Sequence, residues 1–321
     1  MVTTGSSLGS RMGTVHDLLE AKGKLAAIEA GYDRAAVEAA ALYMSDEESG
    51  LGFVFSGWTQ CALPHRKLKD DQPWQIATER VRLVIEPGRR PVGNTGKLDY
   101  VGVPFGAHAR LIMFYLQTRA LEAGSREVEL GRSLRSWMTK MGVPIGGSQA
   151  RSVRDQAERI SRCRLTFHIS GSKGAATGLV NANIVDRALF IDVDDGGTQG
   201  RLSLETAKLS ESFFEQLKKH PVPIEEAAIK ALANNSAAMD VYMWLAYRLH
   251  ALTGSRPITW AALKGQFGTS YKALYHFKPE FIKALQLAMS VYPAAKVEVT
   301  DTGVILHHSR PPVQPKLISA R

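Results

Sequence analysis

At 321 residues the chain has room for two domains, each with its own core, and 40 Lys and Arg against 31 Asp and Glu give a net charge of +9 and a pI near 9.5. That excess favours an anionic partner, nucleic acid before membrane surface, and no apolar run nears the roughly 18 residues needed to span a bilayer. Two cysteines, Cys61 and Cys163, with no CxxC or Cys/His cluster, exclude a disulfide scaffold and structural zinc; with no apolar export segment near Met1, they fit a reduced cytoplasmic protein.

Residues 1 to about 14 are rich in Gly, Ser and Thr and read as an unstructured tail. Helices are expected over Val15–Ala30 and Asp33–Met44, making 1–49 a tail with a helical extension. Strand-like runs follow at Phe53–Phe55 and Val81–Ile85, separated by a polar loop through Ala62–Lys67, and Glu86-Pro87-Gly88 closes the second run. From Pro104 a long helix runs to Gly124, with Ala107, Leu111, Phe114, Thr118 and Leu121 at the spacing of one buried stripe. Next come a strand at Arg126–Leu130 and a helix capped by Ser133 that turns Leu134, Trp137, Met138 and Met141 inward. Gly142–Gly147 forces a turn into a helix over Ser148–Arg162, whose core face is Ala150, Val153, Ala157 and Ile160. Leu165, Phe167 and Ile169 alternate along a strand, Gly171–Gly174 makes a hairpin, and a strand returns around Ile184–Ile191. Leu202–His220 and Ile224–Leu232 read as connecting helices.

The same order then recurs about 130 residues on. Ala238, Val241, Leu245, Leu249 and Leu252 form the long stripe, and Arg256–Ile258 the short strand. Thr259 caps a helix with Trp260, Leu263 and Phe267 inward, and Gly268–Ser270 begins the turn. Pro279 suits the first turn of the next helix, which buries Phe281, Leu285, Ala288 and Tyr292. Strands at Lys296–Thr300 and Val304–His308 flank Asp301–Gly303. The expected fold is α+β: two tandem winged-helix domains, each a helix-turn-helix plus a β-wing, after an N-terminal helical extension. Boundaries are expected at 1–49, 50–200 and 201–310, with a basic, Pro-rich tail at 311–321.

The charge concentrates where such a fold would meet DNA. From Gly131 to His168 eight Lys and Arg face only Asp155 and Glu158. On the polar side of 148–162 stand Gln149, Arg151, Ser152 and Arg154, with Arg132 and Arg135 just upstream. Arginine clamps phosphate or bonds guanine bidentately, and Gln and Ser suit base edges or backbone. The alternative is a solvated face with Arg151–Asp155 and Arg154–Glu158 pairs. In the second copy the candidates are Tyr271, Lys272, Tyr275, His276, Lys278 and Lys283; Tyr271 and Tyr275 have the alternative of packing under the turn. Lys173 would sit at a wing tip, within reach of a minor groove or phosphate, or else in a solvated loop. No GxxxxGK[ST] phosphate loop occurs, and His307-His308 lacks metal-ligand spacing. No catalytic residue, metal or cofactor is therefore expected, and the protein reads as a non-enzyme.

Several strings go further. Gly102-Val103-Pro104-Phe105-Gly106 through Leu111, Ser125–Ser133, Gln156–Leu165, Asp240–Leu249, Trp260 and Gln266-Phe267-Gly268 together resemble the plasmid-encoded RepA replication initiator family, over roughly residues 50–310. The resemblance implies a plasmid replication initiator that binds repeated origin sites (iterons) in double-stranded DNA, helps open the duplex and recruits the host initiator and helicase machinery. It also implies a monomer–dimer equilibrium, autorepression of its own gene, copy-number control and a cytoplasmic, nucleoid-associated location. By the same likeness the first winged helix serves dimerisation and backbone contact, and the second reads bases. A winged-helix transcriptional regulator, or an origin-nicking phosphoryl-transfer enzyme, are the rival classes.

Overall fold

The computed structural model describes residues 8–46, 50–78, 81–131, 133–169, 178–188 and 206–313. In chain order the helices are α1 (Leu8–Glu29), α2 (Arg34–Met44), α3 (Gly106–Ala123), α4 (Leu134–Lys140), α5 (Gly147–Arg162), α6 (Glu211–Lys219), α7 (Glu226–Ala231), α8 (Ser236–Arg248), α9 (Trp260–Phe267) and α10 (Leu274–Met289). The strands are β1 (Leu51–Phe55), β2 (Trp74–Ala77), β3 (Val81–Glu86), β4 (Gly88–Pro91), β5 (Leu98–Gly102), β6 (Glu127–Glu129) and β7 (Arg164–Ile169). They continue with β8 (Gly178–Asn183), β9 (Val185–Ala188), β10 (Thr206–Leu209), β11 (Pro221–Glu225), β12 (Arg256–Thr259), β13 (Val297–Val299) and β14 (Gly303–Leu306). Two compact units result: residues 53–221 form one, and 1–52 with 222–321 form the other. The expected boundary at 200 lies outside the described residues.

In the 53–221 unit, β2, β3, β7 and β8 make an antiparallel sheet in that order. Leu83 faces Phe167 and Ile85 faces Leu165, all buried, so the alternation read from β3 and β7 places both on one core face. Phe167 meets Phe55 and Trp58 edge-on at 5.3 and 5.2 Å, and Phe55 meets Phe213 at 6.0 Å. β6, β10 and β9 form a second antiparallel sheet. Thr206–Leu209 is thus a strand where a helix was expected. Ala207 pairs with Val128, and the helix begins only after Ser210, whose Oγ accepts the Phe213 N–H. The hairpin at 171–174 and the end of the return strand lie outside the described residues.

α3 is buried on more than the expected stripe. Ala107, Phe114 and Leu121 are only half-buried, while Arg110 and Gln117 are buried. Backbone partners make this tolerable. Gln117 Oε1 accepts the Phe55 N–H at 2.8 Å, and Arg110 donates to the carbonyls of Leu63 and Gly106 at 2.7 and 2.8 Å.

In the other unit β12, β14 and β13 form an antiparallel sheet in that order. α8 is buried continuously from Ala238 to Ala246. The N-terminal helices belong to this core: Val15, Ala27, Val37 and Ala40 cluster together, His16 Nε2 bonds the Ser290 carbonyl at 2.8 Å, and Tyr43 donates to Glu225 at 2.6 Å. α1 is broken at Gly23. Residues 221–225 form a strand, so the helix expected from Ile224 starts at Glu226. α10 starts at Leu274, which puts Pro279 inside the helix rather than in its first turn. Pro279 forfeits one backbone bond, but starting early buries Phe277 (2% exposed) against Phe281 and Tyr271, at 5.3 and 5.8 Å.

Both halves share the order long helix, strand, helix, helix, strand, strand: α3-β6-α4-α5-β7-β8 and α8-β12-α9-α10-β13-β14. The pairings differ. β12 closes on β14, whereas β6 is paired by β10 and β7 by β3.

Candidate nucleic-acid interface

α5 is set by its own sequence. Val153, Gln156, Ala157, Arg159 and Ile160 are buried, at helical spacing, and Gly146 starts the helix without a side-chain cap. Upstream, α4 is fixed by Ser133, whose Oγ accepts the Ser136 N–H at 3.2 Å. The remaining face of α5 carries the expected group. Arg151 and Arg154 are exposed, Gln149 and Ser152 are half-buried, and Arg135 is exposed on α4. Ser148 Oγ donates to Gln149 Oε1 at 2.7 Å, and Ser152 Oγ bonds His108 Nδ1 at 2.7 Å. Burial holds the His108 imidazole below its ordinary pKa, so it is neutral at pH 7. Arg132 and Lys173 lie outside the described residues.

The acids of α5 do not take up the arginines expected of them. Asp155 bonds Arg159 Nε at 2.9 Å and Glu158 bonds Arg162 Nε at 3.1 Å, each one turn toward the C-terminus. Acid N-terminal to base at i,i+4 is the better orientation on a helix. Arg151, Arg154 and Arg135 consequently have no ion pair among the described residues.

Arg159, counted with the basic patch, has a different place. It is 3% exposed, bonds Asp155, Asp70 at 3.2 Å and the Val103 carbonyl at 3.3 Å, and lies 5.2 Å from the Phe105 ring centre. A Cβ on Gly102 would stand 2.1 Å from its Nη1, and φ there is +86°, so only glycine lets the guanidinium pass. Gln156 Oε1 accepts the Phe105 N–H at 2.8 Å beside it. These residues tie the segment leading into α3 along the length of α5.

In the other unit Thr259 Oγ1 caps α9 by accepting the Ala262 N–H at 3.2 Å. Tyr271 is half-buried edge-on to Phe277, the packing alternative for that residue. Tyr275 is 73% exposed, its ring 4.0 Å from that of His276, and Lys272 is exposed beside them. Lys278 Nζ sits 5.1 Å from the Trp260 ring, which half-buries its stem. Lys283 is paired with Glu280 at 2.9 Å, a contact that raises its pKa. The first turn of α10 therefore offers an aromatic, lightly charged surface.

One basic element escapes the sequence reading. The β4–β5 hairpin carries Arg89, Arg90 and Lys97 and packs against α5. The Gly93-Asn94-Thr95-Gly96 turn between its strands was the available signal. Among the described residues no three His, Cys, Asp or Glu are grouped to hold a metal, and no helix is long and apolar enough to cross a membrane.

The family model described as plasmid-encoded RepA protein matches residues 103–262, which takes in α3 to α6 of one unit and α7, α8 and the first residues of α9 of the other. No curated protein matches the chain. Among solved structures, the selenomethionine form of domains 2 and 3 of RctB is similar at 14% identity and a TM-score of 0.53, covering 81% of this chain and 100% of that one. A second RctB structure of domains 2–3 has 14% identity, a TM-score of 0.47, and coverage of 77% and 93%. At such identity the first likeness is one of fold.

Proposed function

We propose that this chain, a member of the plasmid-encoded RepA family through residues 103–262, initiates plasmid replication by binding repeated sites in duplex origin DNA. The observation that carries the reading is on α5: two exposed arginines one turn apart that have no ion pair among the described residues, because Asp155 and Glu158 turn to other partners. A cation whose charge is not already neutralised is the kind that exchanges condensed counterions for phosphate. Each helix–strand–helix–helix–strand–strand repeat acts as a winged helix, with α5 and α10 facing the duplex. Phosphate contacts position and base contacts discriminate, so the arginine-bearing α5 grips backbone. The aromatic start of α10, with Lys272, Tyr275, His276 and Lys278, reads sequence. Origin opening, recruitment of host initiator and helicase, a monomer–dimer equilibrium and autorepression complete the proposal, with no cutting of DNA.

The test is the salt dependence of binding to an origin duplex and to an unrelated one. Replacing Arg151 and Arg154 by Ala should weaken both and flatten the log–log salt slope by about 0.9 per lost phosphate contact. An unchanged slope means that both arginines stay in solvent, and the reading of α5 fails. Supercoiled origin plasmid incubated with Mg²⁺ and the protein should remain supercoiled; a tyrosyl–DNA adduct would make it a nicking enzyme.

A further inference from the structure

The outer stripe of α5 does not end with Arg154. Arg151, Arg154, Glu158 and Arg162 follow one another at i, i+3, i+7 and i+11, a single helix face about 16 Å long. Glu158 is the one acid on that stripe, and it is neutralised from two sides. Arg162 Nε lies 3.1 Å from Oε1, and Arg90 Nη1 lies 3.1 Å from Oε2. Arg90 belongs to β4, so the stripe continues off the helix onto the β4–β5 hairpin.

That hairpin is fixed at its base and free at its tip. Arg162 Nη1 donates to the Arg89 carbonyl at 3.1 Å, and a Cβ on Gly88 would stand 2.1 Å from the Arg162 carbonyl oxygen, so β4 touches the end of α5 backbone to backbone. The other end of the hairpin, Gly102, is the glycine beneath Arg159. Beyond these anchors residues 93–100 are all exposed. The turn is closed by the Val92 N–H to the Lys97 carbonyl at 3.0 Å. Among the described residues β4 and β5 pair with no other strand. A lone two-stranded ribbon is marginal in water, so α5 is what holds this one in shape. Its side chains are not those of an ordinary solvated turn. The Arg89 guanidinium stacks on the Tyr100 ring, 4.2 Å from its centre, and bonds the hydroxyl; Leu98 is 55% exposed; Lys97 has no ion pair among the described residues.

We propose that the β4–β5 hairpin is a second backbone-gripping element for duplex DNA, in which Arg90 and Lys97 bind phosphates beyond the end of the α5 stripe. The inference rests on α5 facing DNA, and the duplex is chosen over an acidic protein because the hairpin's charge is continuous with that stripe. A planar guanidinium and a mobile ammonium on a pre-shaped ribbon fit phosphate oxygens without demanding a base sequence. Glu158 carries one charge against two guanidiniums, so the Arg90–Glu158–Arg162 cluster keeps a net charge of +1 for phosphate while Glu158, as a positioning residue, aims both arginines.

The experiment uses the full chain, an origin duplex and an unrelated duplex between 50 and 200 mM salt. Replacing Arg90 and Lys97 together by Ala should flatten the slope by about 1.8 on both duplexes, from about 0.9 per contact. Over that fourfold salt range the variant then loses about 12-fold less affinity than the parent. Lys97→Ala alone, which disturbs none of the anchoring contacts, should flatten it by about 0.9. If both hairpin variants keep the parental slope while Arg151→Ala/Arg154→Ala flattens it, the hairpin proposal is overturned and the α5 reading stands. If none of the variants changes the slope, both fall.

Discussion

Arg159 and Arg151 are the same residue type on the same helix, and the structure assigns them opposite consequences. Truncating Arg159 to Ala removes two charge-assisted bonds, to Asp155 at 2.9 Å and Asp70 at 3.2 Å, a third bond to the Val103 carbonyl at 3.3 Å, and the cover over Phe105. Removing one partner of a buried pair costs about 3–5 kcal/mol when the other charge is stranded. Here both carboxylates keep 43% side-chain exposure and regain water, which moves the expectation to about 2–4 kcal/mol. For a unit of this size each kcal/mol lowers Tm by roughly 2–4 °C, so the variant should melt roughly 4–16 °C lower. Arg159→Met, which keeps most of the volume, should lose less. The assay is calorimetric melting alongside the DNA salt slope. Arg159→Ala should shift the melt and leave the slope; Arg151→Ala/Arg154→Ala should do the reverse. An Arg159→Ala protein with parental Tm and a flattened slope would refute the assignment of Arg159 as an internal strut.

Three further outcomes are expected. Ser133→Ala and Thr259→Ala each remove a helix N-cap and should cost about 1 kcal/mol in denaturant titrations, with α-helical content otherwise kept; a loss below the error of the titration would mean that neither cap matters. Glu225 is held above the ordinary carboxylate range by burial, so from about pH 4.5 up to its raised pKa the folded state keeps a proton that the unfolded state has lost. Stability from this group therefore falls as pH rises through that window. Glu225→Gln should be more stable than the parent at neutral pH, with the gap closing toward pH 4.5; a gap independent of pH would contradict this. Tyr275→Ala carries no charge change, so it should leave the salt slope alone and narrow the preference for origin over unrelated duplex by about 1–3 kcal/mol, read by competition binding. Equal loss on both duplexes would remove Tyr275 from base readout.

What was legible in the sequence was local. Ser133 and Thr259 were readable as caps because the bond they make reaches only three residues ahead. Of the core face expected for the helix from Ser148, Val153, Ala157 and Ile160 are buried and Ala150 is half-buried, and α5 starts one residue earlier, at Gly147. What was not legible depended on partners far along the chain. Arg159 differs from Arg151 because Asp70 and Gly102 come to it from elsewhere, which no helical period reveals. β10 became a strand because β6 lies beside it, and α10 began at Leu274 because Phe277 had an aromatic cluster to enter. The β4–β5 hairpin had a local signal in its Gly93–Gly96 turn, but the packing on α5 that fixes its place comes from residues far along the chain.

The chain leaves one unit after Gly52 and re-enters it at Val222. During synthesis at roughly 5–20 residues per second, making residues 53–221 therefore takes about 8–34 s. Throughout that interval α1 and α2 exist without α7, α10 and β13, the elements that cover them, while the inserted unit completes its own sequence first. The α1–α2 pair, whose Val15, Ala27, Val37 and Ala40 pack on one another, therefore leaves the ribosome well before the elements of the last third of the chain that complete its unit.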